Sequence, residues 1–316
     1  MSTRSTPIPF LDLTVAHQRL REEISSFFKS FYDSNRFILG ECVGRFEEEY
    51  ARYSTTRFCV GVGCGLDALY LALRALGVGE GDRVIVPANT YVATWLAITR
   101  VGATIVPVEP DPLSCNLDPD SVEQAITDGT GAILPVHLFG QACDMDAINA
   151  IARRHGIGVV EDTAQAHGAA SGSRPTGSLG TINATSFYPT KNLGALGDAG
   201  AVTTDDERLA AQVRTLRNYG SDRKNHNVEL GINSRLDELQ AGILSIKLKH
   251  LDDWNAERRR IAEWYRERLQ DVDELVLPHT ATGLSHCYHL FVIRTRHRDR
   301  LAQHLAERGI GTMVHY

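Results

Sequence analysis

The feature that most constrains this fold is a repeated alternation between short apolar runs and longer segments with helical spacing. Residues 58–62 have the pattern of a strand, and Leu66, Leu69, Leu73 and Leu76 then recur at the spacing of one helix face. The same two patterns continue along the chain, with strands predicted at 84–86, 104–108, 132–136 and 158–162 and helices at 90–101, 118–127 and 144–155. Strands separated by such helices are typical of parallel βαβ units and predict an α/β fold.

These patterns divide the chain into three parts. Residues 1–49 form an N-terminal segment that we expect to pack on both domains, and residues 50–235 form the large α/β domain. A long helical pattern without proline then extends to residue 269 and predicts one helix that bridges into a smaller domain. Residues 236–316 contain this helix and the small domain, with a further strand predicted at 288–295 and a helix at 299–308.

Composition excludes several classes of function. A net charge of −6, from 33 basic and 39 acidic residues, gives no general attraction to nucleic acid or to an anionic membrane. No apolar run reaches the roughly 18 residues of a transmembrane helix, and the N-terminus lacks the apolar core of a secretory signal. The six cysteines are scattered without a CxxC pair, which favours reduced thiols in the cytoplasm over a disulfide framework.

The segments that follow strands are the candidates for ligand binding, because ligands of a parallel sheet bind beyond the carboxyl ends of its strands. The turn at residues 61–65 has GxGxG spacing and precedes a helix, an arrangement that suits a phosphate. It matches neither the P-loop nor the dinucleotide fingerprint, so a tight strand-to-helix turn is an equal alternative. Asp162 ends an apolar strand, and it either needs a cationic partner or caps a following helix.

Lys191 lies among apolar, hydroxyl and glycine residues, with no charged residue within six positions on either side. A lysine in such surroundings can have a lowered pKa and act as an amine nucleophile, although most loop lysines are simply solvated.

Asn233 and Ser234 precede the long helical pattern and suit a helix N-cap. His286 and His289 have HxxH spacing, but no acidic residue lies close by, so we predict no metal site.

Several motifs in a fixed order give the chain a resemblance to a known family. They are GLDAL, ATWLA, EDTAQAHGA, SFYPTKNLGALGDAG, LRNYGSDRKNHN and GINSRLDELQA. The chain resembles the DegT/DnrJ/EryC1/StrS family of pyridoxal-phosphate (PLP) sugar aminotransferases over nearly its whole length, residues 10–316. The resemblance implies the aspartate aminotransferase-like fold type I, with a large domain built on a mainly parallel seven-stranded sheet and a smaller C-terminal α+β domain.

The resemblance also implies roles for residues around the cofactor ring. Lys191 matches the Schiff-base lysine, which also moves a proton between substrate and cofactor. Asp162 matches the acid that pairs with the pyridine nitrogen, which gives it the cationic partner it needs. Gln165 matches a residue close to the ring and its oxygen substituent. Tyr91 takes the place of an aromatic residue that stacks on the ring.

Other matched residues concern the phosphate and the substrate. Ser186 and the backbone of Gly65 and Leu66 match the phosphate site, although Leu66 lacks the hydroxyl that many relatives have there. Asn233 matches a residue that reaches the phosphate of a neighbouring subunit, which implies a homodimer with shared active sites. The substrate candidates are Tyr188, Tyr219, Arg235 and Tyr316. Asn225 replaces a tyrosine of the most similar branch.

The implied reaction is transamination of a nucleotide-linked keto sugar. The motifs resemble most the branch that converts a dTDP-3-oxo-6-deoxyhexose into a dTDP-3-amino-3,6-dideoxyhexose, with L-glutamate as amino donor. A 4-aminotransferase for another nucleotide sugar and a regulatory or inactive PLP-binding protein are the alternatives. Family members continue beyond His315-Tyr316, so we expect that the small domain is truncated. We expect a cytoplasmic enzyme that binds neither nucleic acid nor membranes.

Overall fold

The computed structural model describes residues 7–316, which contain eleven α-helices, one 3₁₀ turn (Leu138–Gly140) and eleven strands. The helices are α1 (Thr14–Arg19), α2 (Arg21–Ser34), α3 (Glu41–Tyr53), α4 (Gly65–Ala75), α5 (Val92–Arg100), α6 (Pro119–Ala125), α7 (Met145–His155), α8 (Glu207–Leu216), α9 (Glu238–Leu248), α10 (Leu251–Leu269) and α11 (Arg298–Glu307). The strands are β1 (Phe58–Val62), β2 (Arg83–Pro87), β3 (Thr104–Val108), β4 (Thr130–Ile133), β5 (Gly158–Asp162), β6 (Ala170–Ser171), β7 (Arg174–Pro175), β8 (Ile182–Ser186), β9 (Gly200–Thr204), β10 (Ser221–Arg223) and β11 (His226–Asn227).

Seven strands form one sheet in the order β1-β9-β8-β5-β4-β2-β3. The strands from β8 to β3 pair in parallel, whereas β9 runs antiparallel between β1 and β8. The predicted α/β architecture with a mainly parallel seven-stranded sheet is therefore confirmed. Strands β8 and β9 flank the Lys191 loop, and the apolar patterns alone did not reveal them.

Helices cover both faces of this sheet, as the apolar strands require. Val84 and Val86 of β2 pack in one cluster with α4, α5 and α8. Ile85, between them, packs in another cluster with α6 and α7. Because alternate residues of a strand point to opposite faces, β2 contributes to two cores at once.

The single long helix predicted to bridge the domains is wrong, because the chain breaks between α9 and α10 at Lys249 and His250. Every residue of α9 from Ala241 to Lys247 is buried, whereas α10 buries only Leu251, Asn255 and Ala262. An enclosed helix is thus followed by a surface helix. No proline or glycine marks this break, so the spacing of apolar residues could not show it.

Two smaller predictions near the small domain also fail. Residues 288–295 form no strand of a sheet, and Arg294 pairs only with Val276 in an isolated bridge. Asn233 and Ser234 do not cap α9, which begins after Asp237. Ser234 instead accepts a hydrogen bond at its Oγ from the N–H of Gly63, at 3.0 Å. That contact fixes the glycine turn after β1.

No helix within residues 7–316 is both long and apolar enough to span a membrane.

Candidate active site

Five of the residues singled out from the sequence lie around the carboxyl ends of strands in the central sheet. Asp162 ends β5 and Ser186 ends β8, while Lys191 lies in the loop between β8 and β9. Gly65 begins α4 shortly after β1, and Tyr91 precedes α5. This is the edge of an open α/β sheet at which ligands bind.

Asp162 is a buried carboxylate held by two uncharged donors. Thr94 Oγ1 donates to its Oδ2 at 3.1 Å, and the N–H of Ala164 donates to its Oδ1 at 3.1 Å. Burial raises the pKa of Asp162, whereas the Ala164 hydrogen bond and the positive charge of Lys191 lower it. The chain turns after Asp162 instead of entering a helix, so the helix-cap alternative is wrong. A cation placed against this carboxylate would favour its ionised form.

Lys191 has its side chain half-buried at the same edge, so it is not a freely solvated loop lysine. Its backbone N–H donates to the carbonyl of Tyr188 at 2.8 Å, which closes a turn in the loop. Loss of surrounding water lowers the pKa of Lys191 to about 8, although the charge of Asp162 opposes this shift. An amine with that pKa has a substantial neutral fraction near neutral pH and can act as a nucleophile or as a base.

The start of α4 is pressed against the ends of β8 and β9. A Cβ added to Gly65 would lie 2.5 Å from the Cβ of Ser186, and one added to Gly200 would lie 2.6 Å from the backbone of Cys64. The first N–H groups of a helix have no acceptor within it and attract anions. The backbone of Gly65 and Leu66 and the hydroxyl of Ser186 therefore form a cradle that suits a phosphate.

Gln165 links two aromatic residues beside this cradle. Its Oε1 accepts from the N–H of Phe139 at 2.8 Å, and its Nε2 donates to Tyr316 Oη at 2.8 Å. The ring of Tyr316 lies 5.5 Å from that of Tyr91. Burial raises the pKa of Tyr316 to about 12, and the charge of Asp162 adds to this effect. The structure thus brings Tyr91, Gln165 and Tyr316 together near Asp162.

Three other predicted residues form a separate, outward-facing cluster. Arg235 lies with its guanidinium carbon 5.6 Å from the ring centre of Tyr219, and it donates to Asn218 Oδ1 at 3.1 Å. The backbone of Asn218 forms an isolated antiparallel bridge with that of Asn233. Both Tyr219 and Asn233 are exposed. Among residues 7–316, no hydrogen bond or ion pair joins this cluster to the side chains of Lys191 or Asp162.

The last two predicted positions lie on loops. Tyr188 is exposed, and its carbonyl oxygen holds the N–H of Lys191. Asn225 lies between β10 and β11 with a φ of 63°. Asparagine tolerates this left-handed conformation better than a bulky aromatic residue does, which gives a physical reason for Asn225 in place of tyrosine.

Several residues shape the site although no role in it was predicted for them from the sequence, namely Thr94, Asn192, Ser234 and Asn255. Thr94 holds Asp162, and Ser234 holds the glycine turn. Asn192 donates to Asn255 Oδ1 at 2.8 Å and so ties the Lys191 loop to α10. Such contacts join distant parts of the chain, and no local pattern marks them.

A family model described as the DegT/DnrJ/EryC1/StrS aminotransferase family matches residues 18–316. The chain belongs to this family. Its relatives include a protein named erythromycin biosynthesis sensory transduction protein EryC1, from Saccharopolyspora erythraea, at 52% identity over 98% of this chain and 84% of the relative. A dTDP-3-amino-3,4,6-trideoxy-alpha-D-glucose transaminase of Streptomyces venezuelae is 51% identical over 100% of this chain and 84% of that protein.

A dTDP-3-amino-3,6-dideoxy-alpha-D-galactopyranose transaminase of Aneurinibacillus thermoaerophilus is 50% identical over 98% of this chain and 85% of its own length. A crystal structure of DesV from S. venezuelae, in complex with a ketimine intermediate, superposes with a TM-score of 0.97 at 50% identity. That superposition covers 99% of this chain and 84% of DesV. The chain is therefore an aminotransferase with the fold type I of the PLP-dependent enzymes.

PLP is the cofactor of this aminotransferase family, and the residues gathered at the sheet edge fit it. Within the described residues 7–316, the buried carboxylate of Asp162 accepts hydrogen bonds from uncharged donors alone, and it suits the protonated nitrogen of a pyridine ring. The half-buried amine of Lys191 suits a bond to the aldehyde carbon. The cradle of Gly65, Leu66 and Ser186 suits the phosphate, because a Cβ at Gly65 would close it.

Proposed function

We propose that this aminotransferase transfers an amino group to the keto carbon of a nucleotide-linked deoxysugar. The observation that carries the proposal is the placement of Lys191 beside the buried Asp162 at one sheet edge, with the phosphate cradle close by. Relatives of about 50% identity over nearly the whole chain, named as dTDP-amino-sugar transaminases, support the substrate class.

Each residue of the site has a proposed task. PLP, when bound, supplies a conjugated ring that takes up electrons from the carbon that loses a proton. Asp162 holds a proton at the ring nitrogen, so the ring stays positively charged. Lys191 would hold the cofactor, and its amine would move the proton between substrate and cofactor. Gln165 and Tyr91 hold the ring, and Ser186 with the backbone of Gly65 and Leu66 holds the phosphate.

The proposed substrate is a dTDP-3-oxo-6-deoxyhexose, and the proposed product is a dTDP-3-amino-3,6-dideoxyhexose. L-Glutamate is the proposed amino donor and leaves as its keto acid. Tyr188 is part of the Lys191 loop, and Tyr316 is hydrogen-bonded to Gln165. A sugar ring that approaches the Lys191 amine would pass both side chains. Their hydroxyl groups can accept and donate hydrogen bonds to the sugar hydroxyls.

We further propose a homodimer in which each active site takes residues from both subunits. The cluster of Tyr219, Asn233 and the half-buried Arg235 supports this, because within residues 7–316 no hydrogen bond or ion pair joins it to the side chain of Lys191. A cation and amide groups on an outer surface suit the phosphates of a cofactor or nucleotide held by a second copy. The free thiols of all six cysteines agree with a cytoplasmic enzyme.

We propose the same three-part division of the chain, with residues 50–235 as the cofactor-binding domain. All seven strands of the central sheet lie between Phe58 and Thr204, which supports these bounds. Contacts of the N-terminal segment with both other parts agree with this division, since Ile8 pairs with Ile310 and Glu47 Oε1 accepts from the N–H of Gly61 at 2.8 Å.

The decisive test is product analysis with a panel of dTDP- and UDP-linked keto sugars that carry the keto group at carbon 3 or carbon 4. Each sugar is incubated with the PLP-loaded chain and L-glutamate, and accurate mass shows whether an amine replaces the carbonyl oxygen. Lys191→Ala is the control. We expect amination of the dTDP-linked 3-keto sugars. Amination of only a 4-keto or UDP sugar would support the alternative transaminase, and no amination at all would favour the regulatory alternative.

A further inference from the structure

His289 belongs to a motif that the proposed function does not use, yet it reaches the residue next to Lys191. Its Nδ1 lies 3.3 Å from Oδ1 of Asn192. We propose that His289 is a positioning residue, which donates from Nδ1 to Asn192 and thereby holds the Lys191 loop in place. The inference rests on the proposed role of Lys191, and it adds a residue from the C-terminal part of the chain to the site.

The direction of this hydrogen bond follows from a chain of amide groups. Asn255 Nδ2 donates to the carbonyl of His167 at 2.8 Å, which leaves its Oδ1 as an acceptor. Asn192 Nδ2 then donates to Asn255 Oδ1 at 2.8 Å and to the carbonyl of Cys287 at 3.1 Å. Two backbone carbonyls thus fix both amides. The Oδ1 of Asn192 can only accept, so the Nδ1 of His289 must carry the proton.

The imidazole of His289 is neutral in these surroundings. Burial and the charges of Lys191 and Arg258 lower its pKa well below the usual range for histidine. The titratable groups that face it are Lys191, Arg258, His167 and His315. In the neutral ring with the proton on Nδ1, Nε2 has a free lone pair. His289 therefore anchors Asn192 without placing a second positive charge beside the Lys191 amine.

Other contacts hold the far end of the Lys191 loop, where Lys247 Nζ donates to the carbonyl of Gly194 at 2.6 Å and the N–H of Leu196 donates to Gln240 Oε1 at 2.8 Å. The N–H of Lys191 donates to the carbonyl of Tyr188 at 2.8 Å, and a Cβ on Gly194 would lie 2.4 Å from the carbonyl oxygen of Pro189. The loop is thus a tight turn that cannot shift without breaking contacts. Asn192 is the buried side-chain anchor next to Lys191 itself, and His289 satisfies its acceptor oxygen, which would otherwise be orphaned.

His289 is itself held against the large domain. The N–H of Cys287 donates to the carbonyl of Gly140 at 2.9 Å, and that of Leu290 donates to the carbonyl of Phe139 at 3.1 Å. A Cβ on Gly140 would lie 2.8 Å from the backbone nitrogen of His289. The backbone that carries His289 is therefore fixed on both sides of the residue, as a positioning residue requires.

Three substitutions separate the hydrogen bond from the packing of the ring. His289→Asn keeps an amide N–H close to the position of Nδ1, His289→Gln moves it toward the position of Nε2, and His289→Phe keeps the ring without a donor. In the full chain freed of cofactor, the pH dependence of acetylation at Lys191, followed by peptide mass spectrometry, gives the pKa of its amine. Asp162, His167, His289 and His315 are the titratable groups around that amine.

We expect the pKa of Lys191 to rise by about half a unit or more in His289→Phe and His289→Gln, because the released loop lets water reach the amine. His289→Asn should keep the wild-type value. In the loaded enzyme, kcat should fall roughly 10-fold or more in His289→Phe and His289→Gln, with an unchanged KM for the sugar. His286→Phe is the matched control, because Nδ1 of His286 accepts from the N–H of Tyr288 and does not reach Asn192.

A wild-type pKa in His289→Phe would overturn the proposal, as would an equal shift in His289→Asn and His289→Phe. A pKa shift that appears also in His286→Phe would indicate general loosening and would contradict it as well. The measurement needs no bound cofactor. It therefore gives an answer even if borohydride labelling shows that the cofactor is attached to a lysine other than Lys191, the result that would end the proposed function.

Discussion

At the scale of single residues, Asp162 is the strongest test of the proposed chemistry. Asp162→Asn keeps the shape of the side chain and an oxygen that can accept from the N–H of Ala164. We expect a folded protein with kcat lowered by at least about 100-fold, because the cofactor ring loses the charge that keeps its nitrogen protonated. Asp144→Asn, at the start of α7 on the surface, is the control. Near-normal turnover of Asp162→Asn would refute the assignment.

His286 gives a prediction on stability that is independent of catalysis. Burial lowers its pKa from 6.5 to about 3, and its Nδ1 accepts from the N–H of Tyr288. Below pH 6.5 the unfolded chain binds a proton there that the folded chain does not, so the free energy of unfolding falls as the pH falls. His286→Asn removes the titratable group, and its amide oxygen can still accept from the N–H of Tyr288.

The free energy of unfolding of His286→Asn should therefore depend less steeply on pH between 6.5 and about 4, by up to about 1.4 kcal/mol per pH unit. Urea unfolding across this range measures the slope. The exposed His304 provides the control variant, His304→Asn. Equal slopes for wild type and His286→Asn would contradict the prediction.

Single residues also show what local sequence can reveal. Lys191 stood out because its neighbours are uncharged, and Asp162 stood out because it ends an apolar strand. The structure places both at one sheet edge. Asn192 and His289 could not be found in this way, because their contact joins residues that are far apart in the chain.

At the scale of elements, the approach of α4 to the end of β8 limits residue 65 to glycine. A methyl group at Gly65 would lie 2.5 Å from the Cβ of Ser186, so one of the two elements must move. We expect Gly65→Ala to weaken PLP binding by about 10-fold and to cost about 1–3 kcal/mol of stability. Absorbance titration with PLP and urea unfolding measure the two effects.

Gly44→Ala is the matched control, because a Cβ at Gly44 in α3 meets nothing within 4 Å. We expect it to bind PLP as the wild type does and to gain up to about 1 kcal/mol from the better helix propensity of alanine. Unchanged PLP affinity in Gly65→Ala would show that the cradle is not the phosphate site.

Helices and strands were predictable where one spacing of apolar residues extends over the whole segment. Helices α4, α5, α6, α7 and α11 begin and end within two residues of the predicted bounds, because each has one apolar face or clear end signals. The break between α9 and α10 was not predictable, since both halves have helical spacing and only their burial differs. Strand β9 was missed because it follows a loop rich in glycine.

At the scale of the whole molecule, the shared-site dimer predicts that two inactive variants can restore activity when they are combined in one dimer. Lys191→Ala and Asn233→Ala should each be inactive or nearly so. When the two are mixed and exchange subunits, a hybrid dimer would have one site with both defects and one with neither. We expect activity to return to a measurable fraction of wild type.

Subunit exchange has to be confirmed by pull-down with two different tags, and each variant alone must be well below wild type. If hybrids form without any return of activity, Asn233 acts within its own chain. The exposed position of Asn233, apart from Lys191, is the reason to expect the other result.

The sheet of the whole molecule was predictable only through the family resemblance, because strand order depends on contacts between distant segments. The apolar patterns predicted the parallel units, and the antiparallel insertion of β9 between β1 and β8 came from neither spacing nor composition. The pairing of Ile8 with Ile310 likewise depends on the complete fold.

The central claim is that Lys191 is the amine that holds PLP in this aminotransferase, and reduction of the loaded enzyme with borohydride tests it most directly. Reduction fixes the cofactor to its lysine, and peptide mass spectrometry then identifies the residue. We predict the cofactor on Lys191, with Lys191→Ala unlabelled and without transaminase activity. Labelling of another lysine, or transamination retained by Lys191→Ala, would contradict the claim.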